Sequence, residues 1–191
     1  MTSFLVALHL ASLIGLAIYG LLGYLTLALY LRHRRDATPC PPLPAELPFV
    51  TVQLPVYNER EVIDRLIDAA ATLDYPPERL EIQVLDDSTD DTTIAAAARV
   101  AALQAQGVWI THLHRCHRRD FKAGALQDAL PEASGEFIAI FDADFVPPPD
   151  FLQRTVPYLL ADDGLGVVQA RWGHLNSEDS SLTQAQAMAL D

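Results

Sequence analysis

The sequence predicts an α/β domain with a mostly parallel sheet, preceded by one transmembrane helix. From about residue 49 onwards, short apolar and β-prone runs alternate with stretches of helical periodicity, a pattern typical of βαβ units. Most residues of the strand segments are apolar, and Phe137–Phe141 is apolar on both faces, as expected for a parallel sheet that helices cover on both faces. A separate run, residues 4–31, carries no formal charge and is long enough to span a bilayer.

Five strands and four helices follow from this pattern. The predicted strands are Phe49–Leu54, Leu80–Leu85, Val108–Leu113, Phe137–Phe141 and Leu165–Ala170. The predicted helices cover residues 58–70, 88–106, 122–130 and 151–160. Asn58 and Glu61 form a capping-box pattern, which predicts that the first of these helices begins at Asn58.

The apolar run is interpreted as a retained membrane anchor. Three arginines and a histidine follow it directly, at positions 32–35. A signal peptide carries its positive charges before a shorter apolar run, so this order favours an anchor over a signal peptide. The positive flank predicts an N-terminus outside the cell and the rest of the chain in the cytoplasm, at the cell (inner) membrane. Five prolines between residues 36 and 48 predict a stiff linker over residues 32–48, which leaves 49–191 for the globular domain.

Charge and cysteine content exclude several classes of protein. The net charge is −12, and all 25 acidic residues follow residue 35, so the globular part lacks the basic surface that nucleic-acid binding needs. Cys40 and Cys116 are too few for a disulfide framework and are expected to be free thiols in a reducing compartment.

Acidic residues follow three of the predicted strands. Glu59 follows the first strand, Asp86 and Asp87 follow the second, and Asp142 and Asp144 follow the fourth. Ligands of open α/β sheets bind at the carboxyl ends of the strands. Residues two apart in an extended chain point to the same side, about 6.5–7 Å apart, and paired carboxylates suit Mg²⁺ or Mn²⁺ bound together with substrate phosphates.

Other polar segments allow more than one interpretation. Asp86 and Asp87 lie beside a helix-capping run and are not needed as caps, so an aspartate there is also suited to accept a hydrogen bond from the N–H of a pyrimidine. The basic stretch 112–122 is either a solvated surface or a positive wall beside a nucleotide phosphate, and its histidines lack the partners of a zinc site. Trp172 and His174 lie either at a sugar site or, for the tryptophan, in ordinary packing.

Four motifs in order resemble those of the family 2 glycosyltransferases. They are the segments 50–59, 84–90, 121–126 (Phe-Lys-Ala-Gly-Ala-Leu) and 141–144 (Phe-Asp-Ala-Asp). A fifth segment, 169–176 (Gln-Ala-Arg-Trp-Gly-His-Leu-Asn), is similar to the cellulose-synthase-like branch that includes glucomannan mannosyltransferases.

The resemblance implies a GT-A fold and an inverting transfer of a hexose from a UDP- or GDP-sugar to a growing polysaccharide or a lipid. It implies a nucleotide-sugar site, a Mn²⁺ or Mg²⁺ site at Asp144 and Asp142, and an acceptor side near Trp172 and His174. The residues that match the nucleotide-sugar site are Pro55, Tyr57, Glu59, Asp87, Lys122 and Asp142. Asp120 stands where relatives often have glycine, so the loop before Lys122 is expected to differ in shape.

Family members continue well past the equivalent of Asp191, and the part that follows holds their catalytic base and acceptor-binding motif. We therefore expect a fragment that binds donor but contains no catalytic base and does not transfer sugar alone. Two alternatives remain at this point: a catalytically silent nucleotide-sugar-binding membrane subunit, and a sugar nucleotidyltransferase. The second normally has a glycine-rich loop after the first strand, where this chain has none.

Overall fold

The computed structural model describes residues 2–33, 39–171, 173 and 179–190. The chain divides into two compact units, Met1–Pro39 and Cys40–Asp191. The first unit contains helix α1 (Thr2–His33), whose last turn carries Arg32 and His33. This helix is long and apolar enough to cross a membrane.

The second unit is built on a four-stranded sheet, as far as the chain is described. Its strands are β1 (Val50–Val56), β2 (Leu80–Asp86), β3 (Ile110–His114) and β4 (Phe137–Ile140). The spatial order is β3-β2-β1-β4 and every pair is parallel. The α/β fold class with a parallel sheet is therefore confirmed. Because the strands are parallel, their carboxyl ends meet at one edge of the sheet.

Two layers of helices cover the sheet, and the two central strands are buried at every position. One face packs against α2 (Ile63–Ala71) and α3 (Thr92–Gln104), with Val52, Leu54 and Ile82 fully buried among them. The other face carries α4 (Phe121–Ala129), whose Ala125 and Ala129 pack against Leu85. Each large side chain buried in this way contributes about 1.5–3 kcal/mol to stability. Helix α5 (Phe151–Ala161) completes the larger cluster through Leu152 and Val156.

The first helix does not begin where the capping box predicts. Helix α2 starts at Ile63 with Val62 at its N-cap position and no side-chain cap. Asn58 has a φ of 55°, a left-handed conformation that differs from the extended one of an N-cap residue. Its Oδ1 instead accepts a hydrogen bond from the backbone N–H of Thr89 at 2.9 Å, so Asn58 joins two loops and caps no helix.

The fifth strand predicted for Leu165–Ala170 is wrong. These residues are described and form no strand, and Val167 is 75% exposed. A β-prone run becomes a strand only when a neighbouring strand and a buried face stabilise it, and β4 pairs with β1 alone among the described strands. A helix that the sequence pattern did not predict, α6 (Ser181–Leu190), follows instead.

Gly135 is expected to be intolerant of any side chain. A Cβ there would overlap the backbone nitrogen of Thr51 and lie 2.8 Å from the carbonyl oxygen of Phe137. It would also disturb the hydrogen bond from the Gly135 N–H to Thr51 Oγ1, at 2.8 Å, in a buried network that includes Glu81. We expect Gly135→Ala to lower the free energy of unfolding by about 1–3 kcal/mol, measured by urea unfolding followed by tryptophan fluorescence.

The matched control is Gly166→Ala. A Cβ at Gly166 meets nothing within 4 Å, so this variant should unfold like the parent. Equal midpoints for all three proteins would show that the loop before β4 moves aside at little cost, contrary to the packing described.

Candidate donor site

A cleft of about 460 Å³ opens at the carboxyl edge of the sheet. The loops after β1, β2 and β4 and the first turns of α4 form its walls. Seven residues that the sequence predicts for the donor and metal sites line it, namely Pro55, Tyr57, Glu59, Asp87, Lys122, Asp142 and Asp144. Residues separated by nearly 90 positions in the chain are therefore brought to one concave surface, which is the expected place for a ligand in this class of fold.

Hydrogen bonds between the loops hold this edge together. The backbone N–H of Asp87 donates to the Val56 carbonyl at 3.0 Å, and the N–H of Asn58 donates to Ser88 Oγ at 2.9 Å. With the Asn58–Thr89 bond described above, these contacts fix the loop after β1 against the loop after β2. Tyr57, Glu59 and Asp87 thereby keep fixed relative positions on the cleft wall.

Asp142 and Asp144 lie where the chain leaves the sheet after β4. The Phe141 N–H still bonds to the Gln53 carbonyl, at 3.2 Å, and the Phe145 N–H closes a turn onto the Asp142 carbonyl at 3.0 Å. Ala143 between them is buried. The Asp142 carboxylate pairs with Lys122, whereas Asp144 is exposed.

These two carboxylates fit a hard divalent cation that is completed by substrate. Their donor atoms are oxygens, which Mg²⁺ and Mn²⁺ prefer. Within the described ranges there is no group of three His, Cys, Asp or Glu residues placed to hold an ion. Mg²⁺ usually takes one or two carboxylates from a protein together with substrate phosphates.

Arg115 is half of a buried ion pair with Asp87. Its Nε and Nη2 donate to the two carboxylate oxygens of Asp87 at 2.7 and 2.6 Å, and the Asp87 side chain is 4% exposed. The hydrogen bonds to Asp87 raise the pKa of Arg115 above its usual range, although desolvation opposes them. This residue is thus neither a solvated charge nor a phosphate wall, the two interpretations that the sequence allowed for its stretch.

Asp86 lies outside the cleft lining and holds two histidines. Its Oδ2 lies 3.0 Å from His112 Nε2 and 3.3 Å from His114 Nδ1, while Oδ1 accepts the Ser88 N–H at 2.8 Å. Burial raises the pKa of Asp86, but the hydrogen bonds from His112 and Ser88 outweigh it and hold that pKa below its usual range. Ionised Asp86 therefore stabilises the folded state above its unfolded pKa of about 4. This contribution to the free energy of unfolding is lost as the pH falls from that value through the lower pKa of the folded state.

The loop between β3 and α4 is strained and reaches over the cleft. Asp120 and Phe121 have φ values of 55° and 51°, a region that glycine adopts more easily. Gly124 is required behind this loop, because a Cβ there would overlap the Arg119 carbonyl oxygen. The loop places the Arg118 guanidinium 3.4 Å from the centroid of the Tyr57 ring.

A family model described as Glycosyl transferase family 2 matches residues 51–186, more than half of the chain. The chain belongs to glycosyl transferase family 2. The match contains all the residues that line the cleft, so the donor-site resemblance seen in the sequence lies inside the shared part of the fold.

Named relatives of this family 2 chain include plant mannosyltransferases. It is 41% identical over 175 residues to glucomannan 4-beta-mannosyltransferase 1 of Oryza sativa subsp. japonica, covering 84% of this chain and 33% of that protein. It is 46% identical over 148 residues to glucomannan 4-beta-mannosyltransferase 9 of Arabidopsis thaliana, covering 75% of this chain and 28% of that protein. The chain spans about a third of the length of these relatives.

Solved structures agree with the fold of this family 2 chain. A mannosyltransferase from Pyrobaculum calidifontis, in complex with GDP-Man and Mn²⁺, is 35% identical with a TM-score of 0.64 and covers 76% of this chain and 43% of that one. TarS 1-349 of S. aureus, 22% identical with a TM-score of 0.51 over 66% of this chain and 40% of that one, shares the fold.

Two predicted acceptor-side residues, Trp172 and His174, lie outside the described residues. Two residues next to the predicted site were named from the sequence only as members of the basic stretch: Arg118, which lines the cleft of this family 2 chain, and Arg115, which pairs with Asp87. Both lie in the basic stretch, but no signal in the sequence says which arginine turns inward. The same segment makes a left-handed turn at Asp120 and Phe121, and the only sequence indication of its unusual shape was an aspartate where relatives often have glycine.

Proposed function

We propose that the chain is the donor-binding part of a membrane-anchored, metal-dependent inverting glycosyltransferase, with residues 49–191 as the donor domain. The whole enzyme would transfer a hexose from a UDP- or GDP-sugar to a growing β-linked polysaccharide or glycolipid. The observation that carries this proposal is the single cleft that contains Asp87, Lys122, Asp142 and Asp144. Relatives named as glucomannan mannosyltransferases, and the GDP-Man and Mn²⁺ bound to the Pyrobaculum calidifontis mannosyltransferase, support GDP-mannose as the donor.

The cleft residues divide between the two ends of a nucleoside diphosphate. Asp87, which is buried and acidic, suits an N–H donor of the base, and the exposed edge of Tyr57 offers an aromatic surface beside it. Lys122 and Arg118 are the cations placed for the phosphates, through charge-assisted hydrogen bonds. Asp142 and Asp144 would hold Mn²⁺ or Mg²⁺, which neutralises the charge that develops on the departing diphosphate.

Binding of nucleotide sugars by the full chain, purified in detergent, tests this proposal. Titration calorimetry with GDP-mannose, and separately with UDP-glucose, is performed in Mn²⁺ and again in EDTA. We expect saturable binding of at least one donor in Mn²⁺, tighter for GDP-mannose, and a loss of binding in EDTA. Absence of binding for both donors in Mn²⁺, or equal binding in EDTA, would contradict the proposed function.

The orientation of the chain gives an independent prediction. Arg32 and His33 end α1 and two more arginines follow in the sequence, so the positive side predicts a cytoplasmic second unit, where nucleotide sugars are found. Cys116 is exposed, and we expect a membrane-impermeant maleimide to label it only after cells are lysed. The measurement compares labelling of a Cys40→Ser variant in intact and in lysed cells.

A Ser3→Cys variant that lacks both native cysteines is the control, because its thiol should react from outside in intact cells. Labelling of Cys116 in intact cells would place the second unit outside the cell. It would then have no access to cytoplasmic nucleotide sugars, which would contradict the proposed donor.

A further inference from the structure

Arg115 connects three elements around one carboxylate. Besides the two bonds to Asp87, its Nη1 donates to Asp128 Oδ2 on α4 at 2.8 Å. Its Nη2 also lies 3.1 Å from the Phe121 carbonyl oxygen and 3.4 Å from that of Arg119. The guanidinium is thus held by the end of β2, by the β3–α4 loop and by α4, and its side chain is only 13% exposed.

This geometry fixes the Asp87 carboxylate without using up its acceptors. An ionised carboxylate has about four lone-pair positions on its two oxygens. Arg115 occupies one position on each oxygen in the parallel two-bond arrangement that defines the orientation of both groups. Asp87 lines the cleft, so the remaining positions can accept hydrogen bonds from a ligand in the cleft.

The charge of the pair also matters for ligand binding. Asp87 is buried, and an isolated buried carboxylate is costly. Arg115, which does not line the cleft, balances that charge, and it leaves the cleft residues Lys122 and Arg118 for the phosphates. A lysine at position 115 would keep the charge but could not form two parallel bonds.

We propose that Arg115 is a positioning residue for nucleobase recognition, which acts by holding Asp87 in the orientation that accepts N–H groups of the base. The inference rests on the proposed function and adds to it the residue that sets the geometry of the base end. It predicts that Arg115 matters for ligands that carry a base and not for the phosphate end alone.

Two ligands, one with a base and one without, distinguish the base end of the cleft from its phosphate end in the full chain. Calorimetry in Mn²⁺ compares GDP, or UDP if the chain prefers it, with inorganic pyrophosphate, which has no base. We expect Arg115→Lys to weaken binding of the nucleoside diphosphate about tenfold and to change the affinity for pyrophosphate less than twofold. The exposed neighbour Arg119 supplies the matched control, since Arg119→Lys should alter neither affinity.

A double-mutant cycle tests whether Arg115 acts through Asp87. If it does, the Asp87→Asn/Arg115→Lys variant binds GDP no more weakly than Asp87→Asn alone. Should Arg115→Lys fail to fold, as judged by its circular dichroism and thermal unfolding, Asp128→Asn replaces it. Asp128 is exposed and contacts Nη1 of Arg115. Asp128→Asn should therefore lower the affinity for GDP about two- to threefold and leave the affinity for pyrophosphate unchanged.

The outcomes are distinguishable. Three results would overturn the positioning role while the proposed function stands. The Arg115→Lys variant could bind GDP like the parent, or lose as much affinity for pyrophosphate as for GDP. Alternatively, the double variant could show the product of the two single losses in GDP affinity. A parent chain that binds neither GDP nor UDP in Mn²⁺ would overturn the proposed function and this inference with it.

Discussion

Replacement of Asp144 by asparagine is expected to weaken Mn²⁺-dependent binding of GDP by about 100-fold or more. The substitution keeps the size of the side chain and removes the negative charge that a divalent cation needs. Asp144 is exposed at the cleft rim, and no ion pair with another described residue is lost. The fold should therefore be unaffected, and the effect should appear only in calorimetric titrations that contain the metal.

Asp163→Asn is the matched control for this substitution. Asp163 is also an exposed aspartate, in the turn after α5, and it does not line the cleft. Its variant should bind GDP with Mn²⁺ like the parent chain. An Asp144→Asn variant that does the same would exclude the metal role of Asp144, whatever the other carboxylate does.

Replacement of Lys122 by methionine is expected to change two affinities in opposite directions. Lys122 pairs with Asp142 in this structure, so without nucleotide it competes with a cation for that carboxylate. Both side chains are about half exposed, so water screens the pair and its loss should raise the affinity for Mn²⁺ alone by only about threefold. With nucleotide present, the variant lacks a charge-assisted bond to phosphate, and GDP binding should fall about 10- to 100-fold.

Electron paramagnetic resonance of free Mn²⁺ measures the first affinity, and calorimetry with GDP at saturating Mn²⁺ measures the second. Arg119→Met is the control, since it removes a cation three residues before Lys122, at a side chain that is 81% exposed and does not line the cleft. A parallel fall of both affinities in Lys122→Met would show that Lys122 supports the metal site as a structural element and does not exchange between Asp142 and phosphate.

The parts of the fold that follow from local pattern were predictable from the sequence. The first four strands lie within two residues of their predicted bounds because each segment carries β-prone apolar side chains, such as Leu80, Ile82 and Val84 in β2, which the sheet and its helices bury. In a parallel sheet the carboxyl ends of all strands lie at one edge. Acids far apart in the chain that follow these strands, such as Asp87 and Asp144, were therefore predicted to lie close together.

Features that depend on partners distant in the chain were not predictable in this way. Asn58 looks like a helix cap locally, but its left-handed backbone and its bond to Thr89 arise from contact between two loops. Leu165–Ala170 has strand propensity and no partner strand among the described residues. Arg115 and Arg119 lie on one loop with the same chemistry, and only the packing of that loop buries the first and exposes the second.

The most direct test of the central claim is a crystal structure of the full chain with GDP-mannose and Mn²⁺, with data collected at the manganese absorption edge. We predict an anomalous peak beside the carboxylates of Asp142 and Asp144, a diphosphate between that ion and Lys122, and a base whose N–H groups face Asp87. A nucleotide bound elsewhere on the chain, or a nucleotide in the cleft with no manganese at Asp144, would contradict the donor-site assignment.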